Sequence, residues 1–292
     1  MLKPARIALL LAAAAGAGAA GAALVSCQSD YTAYALTATG NILEFSTKNP
    51  STIGSSTTVT LSGGVTNDSV VQMTAQPGTA ALYCITKFGY LCTLDQSSGV
   101  ATVISSTPFT STLPGYNSSF TLSNAVISFD PVSGDLRVIS TGFNLLVDPN
   151  TGALAGTGSF TAVAFDSSDT NAGKTPVIYG IAYQNPVSGA TNTTLYALES
   201  TTASLVRVGD ADVGSSDTSI DSGDLHTIGP LNVSLSSNTG FAIGPSDGTG
   251  YASLQSGSGA TLYTIDLSGG NATDIGSIGD GTQVINSLVI SP

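Results

Sequence analysis

The sequence predicts an all-β protein, a β-propeller of five four-stranded blades that a C-terminal strand closes into a ring. Short apolar runs separated by Gly-bearing turns recur along the chain with a period of roughly fifty residues, which is typical of propeller blades. Strong helix formers are scarce, because Lys and Arg together number 7 and Glu occurs only twice. The repeat also begins as if inside a blade and ends on a lone strand, which favours ring closure.

Residues 1–26 predict an export signal. Lys3 and Arg6 form a positive start, and residues 7–23 are apolar with much Ala and Gly. This apolar stretch is too short and too rich in Gly for a good membrane span. We therefore assign residues 1–26 to targeting and residues 34–292 to a single β-propeller domain.

The targeting segment ends in Leu24-Val25-Ser26-Cys27, which resembles a bacterial lipobox. The resemblance implies that Cys27 becomes the acylated first residue of the mature chain, with residues 27–33 as a tether. Two or more acyl chains give stable anchoring where one does not. Gln28 in place of Asp is similar to lipoproteins of the outer membrane, if the cell is Gram-negative. The alternative is ordinary secretion with cleavage at an Ala-x-Ala triplet.

The cysteine count is consistent with both export and lipidation. The chain has three Cys, and an odd count in an exported protein needs an explanation. Cys84 and Cys92 each lie four positions from Phe88, in two strand-like runs that meet at a turn. They can therefore face each other in a hairpin and form a disulfide, which leaves Cys27 for the lipid. The alternative is two small buried residues.

The repeated unit is an apolar run, a turn, an alternating run and a further short strand. Turns of the form Asp-x-x-Ser/Thr-Gly have a local cause, since Asp bonds the backbone two residues on and Gly accepts the left-handed conformation. We therefore interpret most Asp residues as turn-makers. In chain order the copies cover 34–45, 70–104, 125–152, 178–208 and 240–278.

The last apolar run, residues 284–290, is interpreted as the missing first strand of the blade that begins at 34–36. This pairing predicts five blades. Six blades are the alternative, if residues 105–121 or the acidic stretch 210–224 hide another one. A β-sandwich is the alternative architecture.

The residues also resemble a known family. Asp135–Leu145, which reads Asp-Leu-Arg-Val-Ile-Ser-Thr-Gly-Phe-Asn-Leu, is similar to the most distinctive stretch of bacterial exported proteins with domain of unknown function 4394. Residues 223–231, 240–243 and 262–266 are similar to the same family in the same order. The resemblance implies an extracytoplasmic propeller-like domain and no activity. This chain departs from the family at three positions, where the family tends to carry Arg, Asp and Arg: Gln76, Ala242 and Leu146.

An acidic stretch is the candidate metal site. Five carboxylates with Ser and Gly suit Ca²⁺, which takes six to eight oxygen ligands. The EF-hand spacing is not met, because Ser215 stands where Gly is required. The alternative is a solvated insert between blade strands. The candidate ligands are Asp210, Asp212, Asp217, Asp221 and Asp224.

No catalytic residue is predicted. Residues 244–248 have the sequence Gly-x-Ser-x-Gly, but a predicted strand follows them where a nucleophile elbow needs a helix. His226 is the single His of the chain, and the alternating strand around it predicts an exposed side chain. A glycosidase needs two carboxylates about 5–10 Å apart in a cleft. No motif surrounds the carboxylates that turns leave unassigned, which are Glu44, Asp68, Asp166, Asp169 and Glu199.

These features predict a lipid-anchored protein of the cell envelope that acts as a binding or structural module without a cofactor. Its expected partners are the membrane, through the anchor, and a protein or glycan. A net charge of −12 excludes nucleic acid, and without Lys3 and Arg6 the charge is −14. The alternative functions are a carbohydrate-binding or carbohydrate-hydrolysing propeller and a calcium-binding envelope protein.

Overall fold

The protein is described from a computed structural model. The structure describes residues 29–63, 65–79, 81–113, 115–117, 120–122, 124–155, 161–214 and 218–291. The predicted signal, Cys27 and Asp217 lie outside these residues. No helix within the described ranges is long and apolar enough to cross a membrane.

Twenty-one strands and two short helical turns make up the described chain. The helical turns are a 3-10 helix at Phe109–Thr112 and α1 at Ser219–Ser222. The strands in chain order are β1 (Thr32–Thr37), β2 (Asn41–Ser46), β3 (Asn49–Thr58), β4 (Thr60–Ser62), β5 (Val70–Ala75), β6 (Leu82–Thr86), β7 (Leu91–Leu94), β8 (Val100–Val103), β9 (Val126–Phe129), β10 (Leu136–Ser140), β11 (Phe143–Val147), β12 (Ala164–Phe165), β13 (Ile178–Tyr183), β14 (Thr193–Glu199), β15 (Ser204–Val213), β16 (Asp224–Pro230), β17 (Thr239–Ile243), β18 (Gly250–Ser256), β19 (Gly259–Ile265), β20 (Ala272–Ser277) and β21 (Ile285–Ile290).

Five small sheets form a ring, which confirms the prediction of a five-bladed propeller. Blade 1 has the order β21-β1-β2-β3, and blade 5 has the order β17-β18-β19-β20. β21 pairs antiparallel with β1, with Ala33 opposite Ile290 and Thr37 opposite Ile285. The C-terminal strand therefore closes the ring, and pairing it with β1 covers an edge that would otherwise be exposed.

The other three blades depart from the predicted four strands. Blade 3 has three strands, β11-β10-β9, with one isolated bridge between Val147 and Leu154. Blade 2 has the order β4-β8-β7-β6-β5 and blade 4 the order β12-β16-β15-β14-β13. Each has a fifth strand because β4 and β12 pair in parallel with the outer strands β8 and β16. Such short parallel strands cover an outer edge that would otherwise be open to pairing.

The two stretches that could have hidden a sixth blade form no blade among the described residues. The first, 105–121, contains the 3-10 helix, which packs on the turn between β6 and β7 through the bond from Phe109 N to Gly89 O at 2.9 Å. The second, 210–224, contains the end of β15, α1 and the start of β16.

The hydrophobic core is divided into five clusters, one at each interface between neighbouring blades. Between blades 2 and 3, the Tyr83 and Phe129 rings meet edge to face with centroids 5.0 Å apart. Between blades 4 and 5, a Cβ on Gly180 would lie 2.7 Å from that of Phe241, so this close approach requires glycine. Burial at each interface holds the ring together.

The predicted disulfide is confirmed. Cys84 and Cys92 stand opposite each other in the β6–β7 hairpin, with Cα atoms 5.0 Å apart, and both side chains are buried. A bridge that closes so short a loop stabilises a fold by about 2–3 kcal/mol. Disulfides persist in oxidising compartments, so this bond supports an extracytoplasmic location.

Candidate functional site

The propeller has two ends that differ in chemistry. We name the strands of each blade A to D from the centre outward. The turns between A and B, and between C and D, lie where the A strands finish, which we call the A–B end. The B–C turns and the D–A connections lie at the opposite end, which we call the B–C end. Two long connections belong to the B–C end: the described part of 104–125, and residues 166–177, which lead from β12 to β13.

Most Asp-initiated turns lie at the A–B end. Asp95, Asp130, Asp148 and Asp266 each accept a bond at Oδ1 from the backbone N–H two residues on, at 2.8–2.9 Å. Asp247, at the fourth position of its turn, does the same for Thr249 at 3.0 Å. The role of these Asp residues as turn-makers is confirmed.

The hydrogen bonds of these turns favour the ionised carboxylates. The Ser97 hydroxyl and two backbone N–H groups lower the pKa of Asp95 to about 2. Asp135 shows the opposite effect, because partial burial, followed by the charges of Asp148 and Asp130, raises its pKa. The A–B end is therefore an acidic surface.

The acidic stretch 210–224 also lies at the A–B end, as the C–D connection of blade 4. Asp210 and Asp212 are at the end of β15, Asp221 is in α1, and Asp224 begins β16. Within the described part of the chain, no three His, Cys, Asp or Glu side chains come together as metal ligands would. A calcium site here, which would involve Asp217 outside the described residues, stays a prediction.

Asp221 has a protein partner instead. Its Oδ1 accepts a bond from Arg137 at 2.7 Å, in the one ion pair found among the described residues. Arg137 is only 3 % exposed, and it also donates to Asn144 Oδ1 at 2.9 Å and to the Tyr183 hydroxyl at 3.2 Å. Burial raises the pKa of Tyr183, so its hydroxyl stays protonated.

This buried polar cluster joins two blades. Arg137 in β10 and Asn144 in β11 belong to blade 3, while Tyr183 and Asp221 belong to blade 4. Asn144 extends the cluster by donating to the Ile220 carbonyl at 2.7 Å. The residues that carry the family resemblance at 135–145 therefore hold the acidic insert of blade 4 against blade 3.

The central channel is narrow. It is lined by the A strands β5, β9, β13, β17 and β21 and encloses about 60 Å³. Two of its strands, β5 and β21, are joined by a side-chain bond in which Ser287 donates to the Met73 carbonyl at 2.7 Å. The A–B mouth is crowded, because a Cβ on Gly78, whose φ is +71°, would overlap Ser188. Gln76 and Ala242, two of the positions at which this chain departs from the family, both line the channel.

The carboxylates considered for glycoside hydrolysis do not meet in this channel. Among the described residues that line it there is no Asp or Glu. Asp169 accepts bonds from the backbone N–H and hydroxyl of Thr227 at 2.6 and 2.8 Å. Glu199 is buried and bonds the backbone of two connecting segments. These carboxylates hold loops in place.

The Gly-x-Ser-x-Gly sequence is the A–B turn of blade 5, between β17 and β18. Ser246 Oγ lies 2.5 Å from the Tyr31 hydroxyl. His226 lies in β16 opposite Arg207 and is half-buried, where the alternating pattern predicted an exposed residue. The connection that follows β12 covers this part of β16, since Asp169 bonds the neighbouring Thr227.

An aromatic patch at the B–C end was not predicted. We define the blade-2 aromatic patch as Lys87, Phe88, Tyr116 and Phe120. The Lys87 ammonium lies 4.8 Å from the Phe88 ring centroid, and the Tyr116 and Phe120 rings are 5.9 Å apart. Tyr116 is 37 % exposed. Sequence reasoning missed the patch because the two segments meet only through tertiary contacts, such as Leu122 N to Lys87 O at 2.7 Å.

Comparisons with known proteins give one family. The family model described as "Domain of unknown function (DUF4394)" matches residues 41–287. A comparison with curated protein sequences gives no match.

Among solved structures, the chain is similar to PorZ, a surface component of the type-IX secretion system of Porphyromonas gingivalis, with 12 % identity and a TM-score of 0.38. That match covers 84 % of this chain and 26 % of PorZ, so this chain spans about a quarter of that protein. It is also similar to a chain of a nidogen/laminin complex, with 9 % identity, 90 % and 99 % coverage and a TM-score of 0.46. A Bacteroides thetaiotaomicron protein of unknown function has 14 % identity, 84 % and 57 % coverage and a TM-score of 0.43.

Proposed function

We propose that this chain, which belongs to the DUF4394 family of domains of unknown function, is a lipid-anchored extracytoplasmic β-propeller. In this proposal it binds a partner rather than catalysing a reaction. The family description names no activity, so the proposal depends on the residues of this chain. The observation that carries it is the chemical difference between the two ends of the ring, together with the buried disulfide. The A–B end carries most of the Asp turns, and the B–C end carries the blade-2 aromatic patch.

Export and anchoring are supported by two independent features. The Cys84–Cys92 bond is typical of proteins that fold in an oxidising compartment. Cys27 follows a lipobox-like sequence and comes two residues before Ser29, the first described residue. An exported chain with this arrangement would be tethered to a membrane by acyl chains on Cys27.

Binding at the B–C end is supported by its loops. The long connections at this end are the usual place for recognition residues on a rigid scaffold. In the blade-2 aromatic patch, Tyr116 offers exposed ring surface, and Lys87 supplies a cation over the half-buried Phe88 ring, which together suit a glycan or a protein segment. Near the patch, burial raises the pKa of Tyr90, and the charges of Tyr116 and Asp68 raise it further.

The anchor is tested by replacing Cys27 with Ser in the full chain. We expect wild type to fractionate with membranes and to carry acyl groups on its N-terminal peptide, measured by mass spectrometry. Cys27→Ser should lose the acyl groups and leave the membrane fraction, because the acylated thiol is gone. Ser29→Ala serves as the control and should stay in the membrane fraction. An unacylated wild type would contradict the anchor.

The binding surface is tested with the Cys27→Ser chain on a glycan array and in pull-downs from cell-envelope extracts. We expect a retained glycan or protein whose binding falls about tenfold in Tyr116→Ala, because an aromatic contact of roughly 1.4 kcal/mol is lost. Asp95→Asn, at the A–B end, should bind as well as the parent. Binding that is equally strong in Tyr116→Ala, or no binding at all, would contradict this assignment.

A further inference from the structure

The N-terminal segment is bonded to the A–B end of blade 5 before β1 begins. The Tyr31 hydroxyl accepts bonds from the backbone N–H groups of Ser246 and Asp247 at 3.2 and 3.1 Å. Tyr31 is buried, and its ring packs edge to face on Tyr251 with centroids 6.0 Å apart. A Cβ on Gly244 would lie 2.8 Å from the Tyr31 ring, so this turn and the ring fit closely.

Ser29 is held to the same turn. Its backbone N–H donates to Asp247 Oδ2 at 3.0 Å, and its carbonyl accepts a bond from the Tyr251 hydroxyl at 3.5 Å. Part of the predicted tether, residues 29–31, is thus attached to the propeller. The chain leaves the ring at Ser29, beside the A–B turn of blade 5.

The remaining chain between this exit point and Cys27 is short. Ser29 is the second residue after Cys27, and two fully extended residues span at most about 7 Å. Acyl chains on Cys27 would be inserted in the bilayer, so the exit point would stay close to the headgroups. A propeller anchored in this way has little freedom to turn its other end toward the membrane.

We infer that the bilayer surface is the partner of the A–B end at the border of blades 5 and 1, and that the B–C end points away from the membrane. This orientation rests on the proposed anchor at Cys27. It places the blade-2 aromatic patch on the side that is open to a partner. It also explains how a propeller with so short a tether could still present one whole surface for recognition.

Charge limits how much of the A–B end touches the lipid. Most of its exposed charges are the carboxylates of the Asp turns, which anionic headgroups repel at distances within about 10 Å. Lys48, in the C–D turn of blade 1, is an exposed cation next to the exit, where Asp30 accepts a bond from Ser46 at 2.5 Å. Contact is therefore confined to the border of blades 5 and 1.

The orientation is tested with two variants of the full chain, each with one cysteine added in blade 5, where Cys84 and Cys92 stay paired and Cys27 stays acylated. Ser268→Cys lies in the C–D turn and Ser258→Cys in the B–C turn, both are exposed, and β19 separates them by roughly 20 Å. Each acylated protein is labelled with a fluorophore on the new thiol and reconstituted in phosphatidylcholine vesicles that contain a headgroup-nitroxide lipid. We expect several-fold stronger quenching of the label at position 268 than at position 258.

A longer tether provides the matched control. Inserting about ten Gly and Ser residues between Gln28 and Ser29 adds a mean span of about 16–19 Å, which should remove the contrast between the two labels. Equal quenching in the unmodified, acylated chain, or stronger quenching at position 258, would overturn the orientation while leaving the anchor intact. A chain without acyl groups on Cys27, detected by mass spectrometry, would overturn the proposed anchor and the orientation with it.

Discussion

Arg137→Ala should lower the free energy of unfolding by about 3–5 kcal/mol, because a large buried side chain is removed and two buried acceptors lose their donor. The substitution removes three bonds and leaves the Tyr183 hydroxyl and Asn144 Oδ1 buried without this donor. Each buried polar group left unpaired costs about 1–3 kcal/mol. Urea unfolding followed by circular dichroism measures the loss.

Two further variants test whether the loss of stability is specific to the buried cluster or follows from removing any charged side chain. Arg207→Ala, in β15, removes a half-buried Arg whose Nε donates to the nearby Gly209 carbonyl at 2.8 Å, and it should cost about 1 kcal/mol or less. Asp221→Asn should cost about 1 kcal/mol, because that side chain is 41 % exposed. An Arg137→Ala loss no larger than that of Arg207→Ala would contradict the role of Arg137 in joining blades 3 and 4.

Glu199→Ala should also cost about 3–5 kcal/mol, because charge-assisted bonds contribute about 1.5–3 kcal/mol each and several are lost together. Glu199 is 0 % exposed at the end of β14. Its Oε1 accepts bonds from Val177 N at 3.0 Å and Thr201 N at 2.6 Å. Its Oε2 accepts bonds from the backbone N–H and the hydroxyl of Thr202 at 2.8 and 2.5 Å.

The same unfolding measurement on Glu44→Ala gives the control for Glu199. Glu44 is a half-buried carboxylate that bonds the Ser55 hydroxyl at 3.0 Å, so its loss should cost about 0.5–1 kcal/mol. Glu199→Gln keeps the shape and one acceptor oxygen and should fall between the two. If Glu199→Ala and Glu44→Ala unfold at the same urea concentration, Glu199 does not hold the B–C turn and the D–A connection as described.

The charge of the protein illustrates what changes between sequence and structure. From the sequence, the negative charge is interpreted as a by-product of many Asp-initiated turns rather than as an acidic binding surface. The hydrogen bonds confirm the turns. The ring nevertheless places these turns at one end, because A–B and C–D turns always close the same ends of antiparallel strands. The negative charge of the Asp-initiated turns therefore forms a charged surface at the A–B end.

Local patterns were sufficient for the blades and the disulfide. Strand alternation, Asp and Gly at turns, and the symmetric spacing of Cys84 and Cys92 around Phe88 depend on residues a few positions apart, and so they can be read from sequence. The parallel strands β4 and β12 could not be predicted in this way, since each pairs with a strand reached through a long excursion of the chain.

By itself, the sequence determined the all-β class, the five repeats, their closure by residues 284–290 and the hairpin bond, because these follow from alternation, turn chemistry and the unpaired strands at the two ends of the repeat. Only the tertiary structure decided that Arg137 meets Asp221 across 84 positions, that Glu199 is a buried acceptor and that Tyr31 is bonded to blade 5. The physical reason is that a side chain's partners depend on which segments the ring brings within hydrogen-bond distance. That geometry belongs to the packing of blades against one another and not to any short stretch of chain.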